Sequence, residues 1–211
     1  MILTGTHPSR GHRIVLTFDD GSEVSIDKTV WEESPYGVGS SFSYEELEAL
    51  KATSDRRRAE SKAVFLLSKR DLSRRELEEK LCREKGKYCA DNREAAAAAA
   101  ARMEALGYVN DERYARHLAE QYARVKLYPR RRIVEELMHK GIDREVAREA
   151  AAVLDLDETQ MALAFLAKKR YTVPKDTKER QRVVGALARY GYSSEVIRRA
   201  LGAWGEDWPD E

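Results

Sequence analysis

Cysteine, proline and aromatic side chains are scarce here: 2 Cys, 5 Pro and 8% aromatic residues in a chain of 211. Cys82 and Cys89 stand too far apart for a Cys-x-x-Cys motif and have no second pair, which excludes a disulfide framework and reads as a reduced thiol pair. No apolar run is long enough to span a bilayer. The first 13 residues lack the apolar middle of a secretory signal, so a soluble, cytoplasmic protein is expected. The four histidines, His7, His12, His117 and His139, never pair at metal-ligand spacing. A Cys82–Cys89–His117 zinc site can be drawn, but the reading is against it. The glycines mark helix ends rather than a phosphate-cradling loop, and no Gly-x-Ser-x-Gly elbow occurs. Asp19 and Asp20 are explained by turn chemistry. No catalytic constellation and no cofactor site emerge, so the chain is not read as an enzyme.

What the chain has instead is charge. Asp, Glu, Lys and Arg make up 36% of it, yet the net charge is only +1. Resolved along the sequence, residues 1–50 carry 3 basic and 9 acidic side chains, residues 51–90 carry 13 and 7, and residues 165–200 carry 10 and 3. Acidic and basic segments therefore alternate, and a face lined by the latter would attract a polyanion.

Two short β-prone runs, Ile14–Phe18 and Glu23–Ile26, flank Asp19-Asp20-Gly21-Ser22, which favours a tight hairpin. A hairpin alone is marginal, so it should pack on a neighbour or gain a strand. Trp31 to Ser41 reads as a linker. Ser43…Glu46 is a capping box that opens a short helix through Leu47 and Leu50. Further cap pairs follow at Ser73…Glu76, Asp91…Glu94, Asp157…Gln160 and Asp176…Glu179, with Pro129 suited to a first helical position and Asp143 and Ser194 suited to caps. Three sets of three helices result: 56–70, 74–85 and 92–106; 111–126, 130–140 and 144–154; 158–171, 177–190 and 194–203. Their periodic apolar residues should form the core. These are Val64, Leu67, Leu77, Leu81, Met103 and Leu106, then Tyr114, Leu118, Tyr122, Ile133, Leu137, Val146 and Val153. The third set adds Phe165, Leu166, Val183, Leu187, Val196, Ile197 and Leu201. The Ala95–Ala101 run reads as a helix lengthened by alanine's propensity rather than as a packing seam.

The fold class is thus mainly α: tandem three-helix repeats in a curved array behind a small β-hairpin and helix extension. The expected divisions are 1–54, 55–107, 108–155, 156–204 and an acidic tail 205–211. Trp204 should close the last core, and Trp208 reads as part of the loose tail. The middle helix of each set opens on basic residues: Arg74 and Arg75 (with Arg70 before them), Arg130, Arg131 and Arg132, then Lys178 and Arg180. Each runs out near a glycine: Gly86, Gly141 and Gly191. A helix N-terminus disfavours cations locally. Three such clusters at equivalent positions point to a stripe for phosphates or an acidic protein surface. Aromatic interleaving near it is thin (Tyr88, Tyr128, Tyr171), which argues against base stacking as the main mode there.

Leu106 to Ala115, followed by Arg131-Arg132-Ile133, Glu136-Leu137 and Lys140-Gly141-Ile142, resembles the RecX family of recombination regulators. Leu66–Arg70 with Ser73, Glu76, Leu77 and Leu81 looks like that family's first repeat motif. The resemblance covers about two-thirds of the chain. It implies tandem three-helix units that bind the RecA recombinase filament and inhibit its ATP hydrolysis, strand exchange and co-protease activity; many members also contact single- or double-stranded DNA. Family members often carry glycine just before the basic opening of the second repeat, where this chain has Leu127-Tyr128-Pro129. Gly107, Tyr108, Asp111 and Gly141 read as structural: the glycines end helices, the tyrosine packs, the acid sits by the next N-terminus. The expected protein is a monomer whose eight basic residues touch the filament. The competing class is a DNA- or RNA-binding helical module without a recombinase partner.

Overall fold

A computed structural model of the chain describes residues 1–82 and 93–204. Gly86, Tyr88, Cys89, Asp91, Trp208 and the acidic tail lie outside them. The chain divides into two compact units, Met1–Val109 and Asn110–Glu211. No helix among the described residues is long and apolar enough to cross a membrane.

The first unit opens with an antiparallel sheet of three strands in the order β1 (Leu3–Ser9), β2 (Arg13–Phe18) and β3 (Glu23–Asp27). The hairpin gains its strand from the residues before it. Leu16, Phe18 and Ile26 alternate onto one face with Leu3 and are buried there with Val30, Phe42, Leu47 and Leu50. The segment read as a linker is more ordered than expected. It begins in helix α1 (Lys28–Glu32), capped by the Asp27 carboxylate, and later flanks β1: the Leu3 N–H donates to Ser40 and the Gly39 N–H to Leu3.

Helix α2 (Tyr44–Leu67) is continuous where two helices were expected. The Ser43–Glu46 capping box forms in full. Between those two expected helices, Thr53 and Ser54 have their hydroxyls engaged within the continuous helix. Thr53 Oγ1 donates back to the Ala49 carbonyl at 2.9 Å, and Ser54 Oγ, buried, accepts the Asp27 N–H at 2.8 Å. The latter bond ties α2 to the end of β3. Helices α3 (Arg74–Cys82) and α4 (Arg93–Ala105) complete this unit. Ala96, Ala99, Ala100 and Met103 of α4 are buried in one cluster with Ala59 and Ala63 of α2 and with Leu77 and Leu81 of α3. The alanine run is therefore a packing seam, contrary to expectation, because side chains without a γ-atom let two backbones approach. Val64 and Leu106, expected inside, are exposed; the buried face of α2 is set by Ala59 and Ala63 instead.

The second unit holds α5 (Asp111–Gln121), which runs into a π-helical turn (Tyr122–Lys126), then α6 (Arg130–His139) and α7 (Arg144–Ala152). Three further helices follow: α8 (Glu158–Lys168), α9 (Thr177–Tyr190) and α10 (Ser194–Trp204). Tyr114, Leu118, Ile133 and Leu137 are buried in one cluster; Phe165, Leu166, Val183, Leu187, Val196 and Ile197 form another, against which Trp204 packs. Val153 is 73% exposed. Its expected place inside is taken by Ala147, Ala150 and Ala151, whose small side chains let α7 lie close to its neighbours. Asp143, Asp157 and Asp176 cap their helices as expected. Ser193, rather than Ser194, caps α10 through the Val196 N–H, and Pro129 sits one position ahead of the first residue of α6.

Candidate partner-binding face

Among the described residues no group of three or more His, Cys, Asp or Glu side chains is disposed to hold a metal ion. The chemistry on offer is that of charged helix ends. In the first unit the cations at the start of α3 are all ion-paired. Arg70 Nη2 meets Glu76 at 2.5 Å, Arg74 reaches Glu78 at 3.2 Å and Glu104 at 2.8 Å, and Arg75 meets Glu79 at 3.3 Å. The hydrogen bond that Arg74 donates to Glu78, then the charge of Glu104, hold the Arg74 guanidinium above its usual pKa. The Ser73 hydroxyl accepts the Glu76 N–H, and Glu76 supplies first-turn negative charge, so this N-terminus is capped despite its arginines.

The three arginines opening α6 have three different environments. Arg130 reaches across to the end of α7: Nη1 donates to the Ala151 carbonyl and Nη2 to the Leu154 carbonyl at 2.9 Å. Its own N–H donates to the Glu158 carboxylate at 2.8 Å. One residue thus covers the negative end of α7 while α8 supplies the acid that the N-terminus of α6 needs. The local cost of arginine at this position, which the sequence leaves unexplained, is met here. Arg132 is held over two rings, 4.3 Å from the Tyr128 centroid and 4.9 Å from that of Tyr190. It also donates to the Tyr190 carbonyl at 3.1 Å and pairs with Glu136 at 3.4 Å. Arg131 points away: its side chain is 78% exposed and pairs with Glu135 at 3.3 Å on its own helix.

The structure does not bring the basic openings of α6 and α9 together. Arg132 meets the C-terminal end of α9, at Arg189 and Tyr190. Lys178 and Arg180 lie in the first turn of α9; from Lys178 to Tyr190 is about 18 Å along the helix. Cations that the sequence reading missed do gather at the α6 end. Lys168 Nζ donates to the Val125 carbonyl at 2.8 Å, and the Tyr190 hydroxyl donates to the Lys126 carbonyl at 2.5 Å. Arg124, Lys126, Lys168 and Arg189 thereby join Arg131 as exposed cations on the segments converging there. Their signal in the sequence was a basic residue in the last turn of each element, which is also what dipole complementarity alone would place there.

A tyrosine cluster holds this junction. Tyr128 packs on Tyr122 and Tyr190, and Phe165 lies 4.1 Å from the Tyr190 ring. The Tyr192 hydroxyl donates to the Leu127 carbonyl at 2.6 Å. Burial raises the Tyr190 phenol above its ordinary value, with Tyr128 adding to the shift and the Arg132 guanidinium opposing it. Burial, then the neighbouring Tyr190, pushes the Tyr192 phenol well up. Leu127 itself is left-handed, at φ +58°. That left-handed backbone is one that favours glycine.

Of the residues read as structural, Gly107 and Gly141 have φ of +77° and +82° and follow α4 and α6. Asp111 stands in the first turn of α5, behind the Asn110 cap. Tyr108 does not pack as expected: it is 60% exposed. Its neighbour Val109 is buried in its place.

Two family models match this unit: the second three-helix domain of RecX over residues 110–150 and the third over 157–201. The regulatory protein RecX of Acidithiobacillus ferrooxidans is 33% identical over 153 residues, which cover 72% of this chain and 93% of that one. The chain belongs to the RecX family. The regulatory protein RecX of Clostridioides difficile, 27% identical over 192 residues, covers 90% of this RecX chain and 88% of its own length. A solved RecX structure superposes with a TM-score of 0.64 at 17% identity, covering 94% of this chain, and that of RecX from Lactobacillus salivarius with 0.60 at 19% over 72%. These two share the fold. The family is one of regulatory proteins, and this chain carries its mainly helical architecture.

Proposed function

We propose that this RecX protein binds the RecA recombinase filament as a monomer in the cytoplasm and restrains it, lowering ATP hydrolysis, strand exchange and co-protease activity. Membership of the family is the observation that carries this reading. The basic residues at helix starts supply the contact to an acidic filament surface or to its DNA, and their geometry divides the labour. Arg131 and Lys178, both exposed, reach the partner. Arg180 adds charge beside Lys178 in the first turn of α9, and Arg70, Arg74 and Arg75 add charge at the start of α3 in the first unit. Arg130 and Arg132 act by holding the start of α6 in place.

The test is titration of Arg131→Glu with Lys178→Glu into a RecA ATPase assay on single-stranded DNA, with far-UV circular dichroism to confirm the fold. Reversing two exposed charges should weaken inhibition by about tenfold or more, equivalent to roughly 1.4 kcal/mol of binding. A folded double variant that inhibits as well as the parent would refute this placement. Absence of inhibition by the parent, together with tight DNA binding that falls steeply with salt, would favour the nucleic-acid module instead.

A further inference from the structure

The first unit holds a polar cavity whose residues have no part in the proposed RecA contact. Its volume is about 620 Å³, and its charged lining is Arg10, Arg13, Lys51 and Arg58 with Glu23 and Asp55. Strand register explains the place. Arg13 stands opposite Asp27 and Val15 opposite Ser25, so these residues share the face of the sheet turned away from Leu16 and Ile26. Ser9 pairs with Arg13, and the turn that follows it, left-handed at Gly11 and His12, sets Arg10 at the same end of the hairpin. The Lys28 N–H donates to the His12 carbonyl and holds that turn. Helix α2 supplies the other wall: Lys51, Asp55 and Arg58, spaced by four and three, lie on one of its faces, and the Asp27–Ser54 bond keeps the helix beside β3.

The four cations differ in what they already hold. Lys51 pairs with Glu48 at 2.7 Å, and Arg58 lies 3.9 Å from Asp55. Arg10 and Arg13 have no carboxylate partner among the described residues. Asp27, opposite Arg13 across the strands, is turned to the N–H groups of Thr29 and Val30 instead. Arg13 donates to the Ser25 carbonyl, yet its Nε is buried with no acceptor. A buried donor left unmet is costly, and an anion drawn against the guanidinium would satisfy it. Two such groups at one end of a concave site match a single doubly charged group, and the planar guanidinium fork suits phosphate. A phosphomonoester carries close to two charges at neutral pH, whereas each linkage of a nucleic-acid backbone carries one. The cavity is far larger than phosphate alone requires and lies in the size range of small-molecule sites. Ser9 and Ser25 also line it, so the rest of the ligand should be polar and hydroxyl-rich.

We propose that this cavity binds a small phosphomonoester, a sugar or polyol phosphate, with its phosphate on Arg10 and Arg13 and its hydroxyls toward Lys51, Asp55 and the serines. The test contains no recombinase, so failure of this reading leaves the RecA reading standing, and the reverse.

The probe is ribose 5-phosphate, titrated into the full chain by isothermal titration calorimetry at fixed ionic strength, with far-UV circular dichroism of every variant. One site per chain is expected, and ribose alone should not bind. Arg13→Gln should weaken binding by about tenfold or more. Arg10→Gln, at an exposed turn where folding is not at stake, should weaken it by about threefold or more. Arg13→Lys keeps the charge but loses the fork and should fall between parent and Arg13→Gln. Arg199→Gln, on α10, should bind like the parent. Inorganic phosphate should compete more weakly than ribose 5-phosphate; equal competition would refute the part given to the hydroxyls. Absence of saturable binding, or affinity unchanged in folded Arg10→Gln and Arg13→Gln, would overturn the proposal. So would equal competition by succinate, which would mark a site for any dianion, or by an oligothymidylate without a terminal phosphate, which would mark a site for nucleic-acid backbone.

Discussion

Replacing Arg132 with alanine should destabilise the second unit far more than the same change one residue earlier. The side chain faces two tyrosine rings, together worth about 1.5 kcal/mol at a half-exposed site. Its bond to the Tyr190 carbonyl, at 3.1 Å, contributes about 1 kcal/mol. The pair with Glu136 is spaced four residues along one helix and adds about 0.4 kcal/mol. The contact to the Arg189 carbonyl at 3.4 Å is too long to count. Alanine's better helix propensity returns about 0.2 kcal/mol, leaving a loss near 2.7 kcal/mol. Arg131→Ala removes only an exposed pair and should stay within about 0.5 kcal/mol of the parent. Urea unfolding followed by near-ultraviolet circular dichroism suits the comparison, because Tyr128, Tyr190 and Tyr192 cluster at this junction. The Arg132 variant should show a lower midpoint with an unchanged slope. Equal midpoints for the two variants would refute the claim that Arg132 joins α6 to α9.

Two further outcomes are expected. At Gly191, φ is +109° and an added Cβ would lie 3.0 Å from Arg132 Cβ, so Gly191→Ala should cost more than about 2 kcal/mol; Gly107→Ala, at φ +77° with open space around it, should cost about 1 kcal/mol. Denaturation midpoints of the two variants measure the difference. The Tyr190 and Tyr192 phenols titrate above their ordinary value of 10 in the folded chain, so the protonated form is the one that folding favours. Their contribution is present in full below about pH 10 and is lost as pH rises through that value toward the raised one. Stability of the second unit should therefore fall at alkaline pH. Tyr192→Phe should lose about 1 kcal/mol at neutral pH, with its Leu127 bond, yet fall less steeply above pH 10.

Much of the fold was legible because its signals are local. The turn at Asp20-Gly21, the capping box at Ser43 and the caps at Asp143, Asp157 and Asp176 each concern residues within a few positions of one another. Leu77, Ile133, Leu137, Leu166 and Leu187 are buried where helical periodicity placed them. The misreadings share a cause. Whether Ala96, Ala99 and Ala100 form a seam depends on the helix opposite, and so does the exposure of Val64, Leu106 and Val153. The two helices expected on either side of residues 51–55 are one, and Ser54 within it bonds to the end of β3. The site was less legible still. Arg130, Arg131 and Arg132 are one run in the sequence, but one caps α7, one is exposed and one lies against tyrosines up to 58 positions away.

The order of the helices after α2, most of their caps and the family were determined by the sequence alone, since capping, turn formation and apolar period act within a few residues. Which cations are free to meet a partner was decided by tertiary structure. A guanidinium is the same group at Arg130, Arg131 and Arg132; carbonyls, rings and carboxylates brought from distant helices consume two of them and leave the third to solvent.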